Sequence, residues 1–159
     1  MNWSVILPLL WIMCVTNAHL HSAEPVGTLA ELRALPKEVA GKSLPVRIEA
    51  VVIYANSSEN ELIVNDGTAS CYTGVDLSGV DRADRPQSGD RVLLDGFTQP
   101  GGFLPHFHSR SWKIIGRGEI PAPYPISADE IYLPRFDTAW VDVPEIGRAS
   151  CRERVYHPV

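Results

Sequence analysis

Hydrophobic and polar positions first follow a helical period, just after residue 27. Leucines recur between residues 29 and 35 at the spacing of one helical face, and Thr28 is followed three residues later by Glu31. This Thr/Glu spacing is the capping-box pattern of a helix N-terminus. Because Pro36 lacks a backbone donor, the pattern predicts a short helix that ends near this proline.

From residue 45 onward the pattern changes to that of β-strands. Five segments are rich in β-branched residues or alternate between apolar and polar positions, and Gly, Asn and Asp mark the turns between them. The predicted strands are residues 46–54, 61–65, 69–75, 91–98 and a stretch that contains 111–118. Residues 76–88 are polar and charged, and they predict a connector with room for one helical turn.

The order of these segments predicts the fold class. A hairpin, a third strand, a connector and a second hairpin are typical of an all-β fold, a small five-stranded OB-like Greek-key barrel, here with a short N-terminal helix. An SH3-like barrel or a fragment of a β-sandwich shares most of these signals and remains an alternative.

The pattern starts again after a proline-rich segment. Residues 120–127 should run extended, because each proline fixes φ and biases the preceding residue away from helix. Ser127 and Glu130 then repeat the capping pattern, and residues 140–143 resemble a new strand. This offset of about 95 to 99 residues is too long for a solenoid and predicts the truncated start of a second similar module. Two unrelated capped helices are the alternative.

The first 23 residues have the pattern of an export signal. An apolar run from Val5 to Val15 contains Pro8 and is followed by small residues. The run is shorter than the roughly 20 residues of a membrane-spanning helix, so a cleaved signal peptide is favoured over an anchor. The prediction is an exported chain on the periplasmic side of the bacterial inner membrane. No Lys or Arg precedes the run, and a buried apolar helix remains the alternative.

Composition and charge limit the function classes. The chain carries 19 acidic and 14 basic residues for a net charge of −5, and no Lys/Arg cluster occurs before the last dozen residues. This excludes nucleic acid as an expected partner. Motifs for nucleophilic catalysis or phosphate binding are absent from the sequence, which predicts neither an enzyme nor a cofactor. His106 and His108 can share one side of a strand, but with no obvious further ligand no metal site is predicted.

Candidate ligand-binding residues follow from the predicted barrel. An OB barrel usually binds on the face of its second and third strands and on the adjoining loops. The residues predicted for such a face are Tyr54, Asn65, Tyr72, Phe103, His106 and Trp112. Packing at the core or its rim is the alternative for each of them. Cys71, with no basic neighbour in sequence, is predicted to be a small buried hydrophobic residue.

Several segments together carry a family resemblance. They are "LAELRALPKEVAGKSLPVRIEAVV", "LIVNDGTASCYTGV" and "GDRVLLDGFTQPGGFLP", with the segments that follow them as far as residue 143. These segments resemble the exported N-terminal OB-like input region of bacterial membrane sensor histidine kinases. The resemblance implies a sensory module whose transmembrane helix and kinase lie downstream. It also implies an unknown small-molecule or envelope-protein partner, membrane contact only through that downstream helix, and a possible homodimer. A freestanding secreted or periplasmic binding module, or a passive spacer, remains the alternative.

The end of the chain differs from the rest. Residues 145–155 read "EIGRASCRERV", and all eleven resemble an in-frame translation of a common sequencing-library adapter. A genuine basic tail is the alternative, although such tails are usually longer runs of like charge. The predicted organisation is a signal peptide (1–23), an OB-like module (28–121), a proline-rich linker with the start of a second module (122–144) and a non-native tail (145–159).

Overall fold

The computed structural model describes residues 24–144. The predicted signal peptide and tail lie outside these described residues. Five strands form a closed barrel in the order β1-β2-β3-β5-β4. Their bounds are β1 Pro45–Asn56, β2 Glu61–Asn65, β3 Ser70–Gly74, β4 Asp90–Gln99 and β5 His106–Arg117.

The length of β1 closes the barrel. Residues 45–51 pair with β4, and residues 51–56 pair with β2. A register shift between Val52 and Tyr54 bends the strand between these two partners. On the far side, β3 and β5 pair in parallel through Thr73 and Phe107. This Greek-key barrel is the OB fold that the sequence predicted.

The core lies inside the barrel and under a short helix, α1 (Leu29–Ala34). Alternate residues of the strands point inward and are fully buried, as for Leu62 and Val64 on β2. Leu29 and Leu32 reach the same cluster from α1 and have no exposed surface. Each buried leucine stabilises the fold by about 1.5 to 3 kcal/mol, so the packing of α1 against the core contributes to the stability of the barrel.

Two side chains fix the N-terminus of α1. Thr28 Oγ1 accepts a hydrogen bond from the Glu31 amide at 3.2 Å, as the capping pattern predicted. Asp66, at the turn between β2 and β3, accepts from the Leu29 amide at 2.7 Å and from the Thr68 amide at 2.8 Å. The helix N-terminus is therefore joined to the barrel by one carboxylate.

A second short helix, α2 (Lys37–Ala40), was not predicted from the sequence. Its four residues are too few to show a helical period. The Thr98 hydroxyl fixes α2 to β4, because it donates to the Ala40 carbonyl at 2.7 Å and accepts from the Leu44 amide at 3.0 Å. The connector between β3 and β4 holds a single 3-10 turn at Arg82–Asp84, as expected.

Residues 122–144 repeat the arrangement that opens the barrel. Two short strands, β6 (Tyr124–Pro125) and β7 (Val141–Asp142), pair in parallel across two 3-10 turns. At the start of the barrel, Val26 bridges Val46 in parallel across α1 and α2. In both segments the first turn begins at a Thr or Ser that is hydrogen-bonded to the Glu three residues later.

Arg33 holds this second segment against the barrel. Its guanidinium donates to the Ser70 carbonyl of β3 at 2.8 Å and to the carbonyls of Asp137 and Arg135 at 2.9 and 3.2 Å. It also donates to Thr138 Oγ1 at 3.0 Å. Thr138 has φ of 56°, a conformation that β-branched residues disfavour, so the Arg33 contacts hold a strained residue in place.

Among the helices of residues 24–144, none has the length and apolar character needed to cross a membrane.

Candidate ligand-binding face

One row of outward side chains crosses all five strands at the same level. Tyr54 of β1 lies opposite Ile63 of β2, which lies opposite Tyr72 of β3. His106 of β5 is next to Tyr72, and Gln99 of β4 pairs with His106. We call these five residues the tyrosine row. Their neighbours along each strand point into the core, so strand alternation places the whole row on the outer surface.

Direct contacts join the middle of the row. The rings of Tyr72 and His106 meet edge to face, with centroids 5.3 Å apart and planes at 81°. His106 Nε2 lies 2.9 Å from Gln99 Oε1. The Tyr72 hydroxyl donates to Glu61 Oε1 at 3.2 Å. These contacts fix the two rings before any ligand binds.

The two rings are neutral near pH 7. Burial and the nearby Glu61 carboxylate raise the pKa of Tyr72 above its ordinary value. Burial lowers the pKa of His106, and the charge of Asp137 partly opposes that shift. The row therefore offers uncharged aromatic faces with hydrogen-bonding edges.

The outer end of the row and the β4–β5 loop expose large apolar side chains. Tyr54 is 53% exposed, and Phe103 in the loop is 69% exposed. The loop lies beside the row, since a Cβ on Gly101 would lie 2.9 Å from His106 Nδ1. Exposed rings beside polar groups are typical of surfaces that bind partners or ligands.

Gly74 makes room for a further imidazole beside the row. A Cβ at this position would lie 2.7 Å from His108 Nδ1 and 3.8 Å from the Tyr72 hydroxyl. The His108 ring therefore lies against the β3 backbone next to Tyr72. His108 was not among the face residues predicted from the sequence.

Two predicted face residues have other roles. Asn65 donates to Ser70 Oγ at 3.0 Å and accepts from the Gly67 amide at 2.7 Å, so its side chain is part of the β2–β3 turn. Trp112 donates from Nε1 to the Asp76 carbonyl at 3.1 Å and packs against the core cluster. Trp112 lies six residues beyond His106 on β5, so the two backbones are about 20 Å apart along the strand.

Sequence reasoning missed two residues of the row, Gln99 and Ile63. Ile63 stands in the run "ELIVN", where every apolar residue looks like a core residue. Strand alternation was the available signal, because Leu62 and Val64 on either side point inward.

A groove lies at the Tyr54 end of the row, between the β1–β2 turn and the β3–β4 connector. Two adjoining depressions of about 480 and 370 Å³ form this arginine groove. Its lining residues include Tyr54, Ser57, Ser58, Arg82, Arg85 and Ser88. Within the described part of the chain, no carboxylate lines either depression.

Cys71 is buried in the core, as predicted, with 1% of its surface exposed. Burial raises the pKa of its thiol to about 12, although the charge of Arg33 acts in the opposite direction. Such a thiol is protonated at neutral pH and is not a nucleophile. Between residues 24 and 144, no group of three or more His, Cys, Asp or Glu side chains is arranged to hold a metal ion.

Comparisons with solved structures return OB-fold domains at low sequence identity. The hypothetical protein ygiW from E. coli matches with 13% identity and a TM-score of 0.45, over 58% of this chain and 91% of that one. The second OB-fold domain of replication protein A from Methanococcus maripaludis matches with 15% identity and a TM-score of 0.40, over 60% and 100%. Asparaginyl-tRNA synthetase from Pyrococcus horikoshii matches with 16% identity and a TM-score of 0.45, over 64% and 24%. No protein-family model and no curated protein matches the chain.

The exclusion of nucleic acid as a partner was wrong. Similar structures include domains of replication protein A and of a tRNA synthetase. The physical reason is that a net charge averages over the whole surface, whereas binding depends on local charge. In this chain Arg82 and Arg85 line one groove although the net charge is −5.

Proposed function

We propose that this chain is a binding module that takes its ligand on the tyrosine row. The observation that carries the proposal is the register of Tyr54, Ile63 and Tyr72 across three strands, with Tyr54 more than half exposed. A row in register presents a continuous surface of two rings and one aliphatic side chain, and aromatic groups of this kind bind flat ligand surfaces.

The chemistry of the row favours a ligand ring that has an apolar face and hydrogen-bonding groups on its edge. Tyr72 and His106 offer neutral rings, and Gln99 and His106 offer polar edges. A sugar ring, a nucleobase or an aromatic side chain has this character. Binding rather than catalysis is proposed because Asp66 and Asp90, the carboxylates placed at turns, accept backbone hydrogen bonds there.

A thermal-shift experiment with residues 24–144 tests the binding proposal. The probes are an eight-nucleotide oligothymidylate, cellotriose and a short tryptophan-containing peptide. We expect at least one probe to raise the melting temperature, because a ligand that binds only the folded state stabilises it. The Tyr72→Ala variant should lose the shift, and Tyr132→Ala should keep it, since Tyr132 is an exposed tyrosine on the 122–144 segment. Equal shifts in both variants would contradict the proposal, as would no shift with any probe.

We also propose that the module is exported and forms the input region of a membrane sensor. The apolar pattern of residues 1–23 and the resemblance to sensor histidine kinases support this. The repeated capped turn and parallel bridge of residues 122–144 support a second module after the first. A freestanding periplasmic binding module without a signalling role is the alternative.

Amplification of the genomic locus separates these alternatives. We expect the reading frame to depart from this sequence after residue 144 and to continue through a second set of barrel strands. A segment of about 20 apolar residues and kinase motifs should follow. A stop codon soon after the second module would contradict the sensor proposal, and genomic reads through "GRASCRERV" would contradict the adapter hypothesis. Neither result affects the binding proposal.

A further inference from the structure

The arginine groove concentrates positive charge in an acidic protein. Arg82 and Arg85 both line it, and Ser57, Ser58 and Ser88 surround them. Asp81 and Asp84 flank Arg82 in sequence but do not line the groove. The groove lining therefore carries positive charge although the net charge of the chain is −5.

Arg85 is held in place by the backbone. Its Nε donates to the Val80 carbonyl at 2.9 Å, and its Nη1 donates to the Ser57 carbonyl at 3.3 Å. These bonds join the connector to the β1–β2 turn across the groove. A guanidinium that is fixed in this way loses little further conformational freedom when it binds an anion.

Arg82 has a different role, because its side chain is not engaged by the protein. Among residues 24–144 it makes no hydrogen bond or ion pair, and it is exposed at the groove wall. By contrast, the exposed Arg47 and Arg117 each form an ion pair with an aspartate. Arg82 is thus able to meet a ligand with its full set of donors.

Tyr54 connects the groove to the tyrosine row. Its side chain lines the second depression, and the same residue begins the row on β1. A ligand whose ring lies on the row can therefore place a neighbouring group beside Arg82 without leaving the surface.

We infer that the arginine groove binds an oxyanion, a phosphate or carboxylate group, of the ligand whose ring lies on the row. This inference rests on the proposed binding function. Guanidinium groups form paired, charge-assisted hydrogen bonds with both kinds of anion. The Ser57 hydroxyl and the Gln87 side-chain amide on the groove wall can add neutral donors, whereas the Ser58 and Ser88 hydroxyls already donate to the protein.

Titration of the ¹⁵N-labelled protein with sodium pyrophosphate and, separately, with sodium succinate tests the inference at constant ionic strength. We expect saturable amide shifts at Ser57, Ser58 and Gln87 with at least one anion, and the two titrations identify the preferred class. Loss of one charge-assisted contact in Arg82→Gln should weaken binding about tenfold. Lys113→Gln removes the same charge from exposed β5 and should leave binding unchanged.

Shifts that do not saturate, or equal weakening in both variants, would overturn the inference. This test is separate from the test of the proposed function, because Tyr72→Ala removes one ring of the row and leaves the residues that line the groove unchanged. Probe binding at the row without anion binding at the groove would leave the proposed function standing and the inference refuted.

Discussion

The His106 ring meets the Tyr72 ring edge to face at 5.3 Å, across the parallel pair of β3 and β5. In this contact the imidazole is partly removed from water, which disfavours its charged form. Asp137 on the segment held by Arg33 provides the opposing charge. The protonation of His106 in the row therefore depends on Asp137, a residue outside the barrel.

The first prediction concerns the titration of His106. We expect its pKa, measured from ring resonances by NMR, to lie below the ordinary value of 6.5 and to fall further in Asp137→Asn. The neutral ring favours the folded state above pH 6.5, and this contribution is lost as the pH falls through the lowered pKa. A His106 pKa at or above 6.5, or a rise in Asp137→Asn, would refute the prediction.

The second prediction concerns Cys71. The thiol should not react with a disulfide reagent at pH 8 in the folded protein, because its pKa is raised to about 12. The unfolded thiol ionises from about pH 9, so the folded state loses roughly 1.4 kcal/mol per pH unit between about pH 9 and pH 12. The free energy of unfolding, measured in urea across this pH range, should fall less steeply with pH in Cys71→Ala. Rapid labelling at pH 8 would show that the thiol is accessible.

The third prediction concerns the close approach of β4 and β5. A Cβ on Gly96 would lie 2.1 Å from the His108 carbonyl oxygen, so the strands must separate in Gly96→Ala. We expect the free energy of unfolding to fall by roughly 3 kcal/mol. Gly102→Ala is the matched control, because no atom lies within 4 Å of a Cβ there. Similar stability of the two variants in urea denaturation would contradict the geometry.

The fourth prediction concerns Arg33. Replacement by Gln removes the four hydrogen bonds that the guanidinium donates from α1, one to β3 and three to residues 135–138. The Tyr124 and Ile126 amides, which donate to Trp140 and Asp142, should then exchange with solvent at least about tenfold faster. Hydrogen exchange measured by NMR checks this, with the exposed Lys42→Gln as the control. Unchanged exchange at both amides would mean that Arg33 does not hold the segment.

The strands were predictable because each carries its own signal. Alternation marks residues 46–54 and 61–65, and "DGT" marks the turn in which Gly67 adopts a φ of 87°. The repeated capping pattern at Thr28 and Ser127 was also readable, because it depends on residues three apart.

The site was only partly predictable because it depends on register. Tyr54, Tyr72 and His106 were identified as aromatic candidates, but their alignment follows from strand pairing over long sequence distances. The arginine groove was missed for a similar reason. Arg82 lies almost 30 residues from Tyr54 in sequence, and the two meet only when the connector folds back over the β1–β2 turn.

Chemical-shift mapping tests the central claim, that the tyrosine row is the ligand-binding face. Labelled protein is titrated with the oligothymidylate, cellotriose and the tryptophan peptide, and shifts are followed at the Ile63 methyl groups and the Tyr72 and His106 rings. The proposed function predicts that saturable shifts from at least one probe centre on these three residues. Shifts that centre instead on Trp112 or Tyr132, or no saturable shift with any probe, would contradict it.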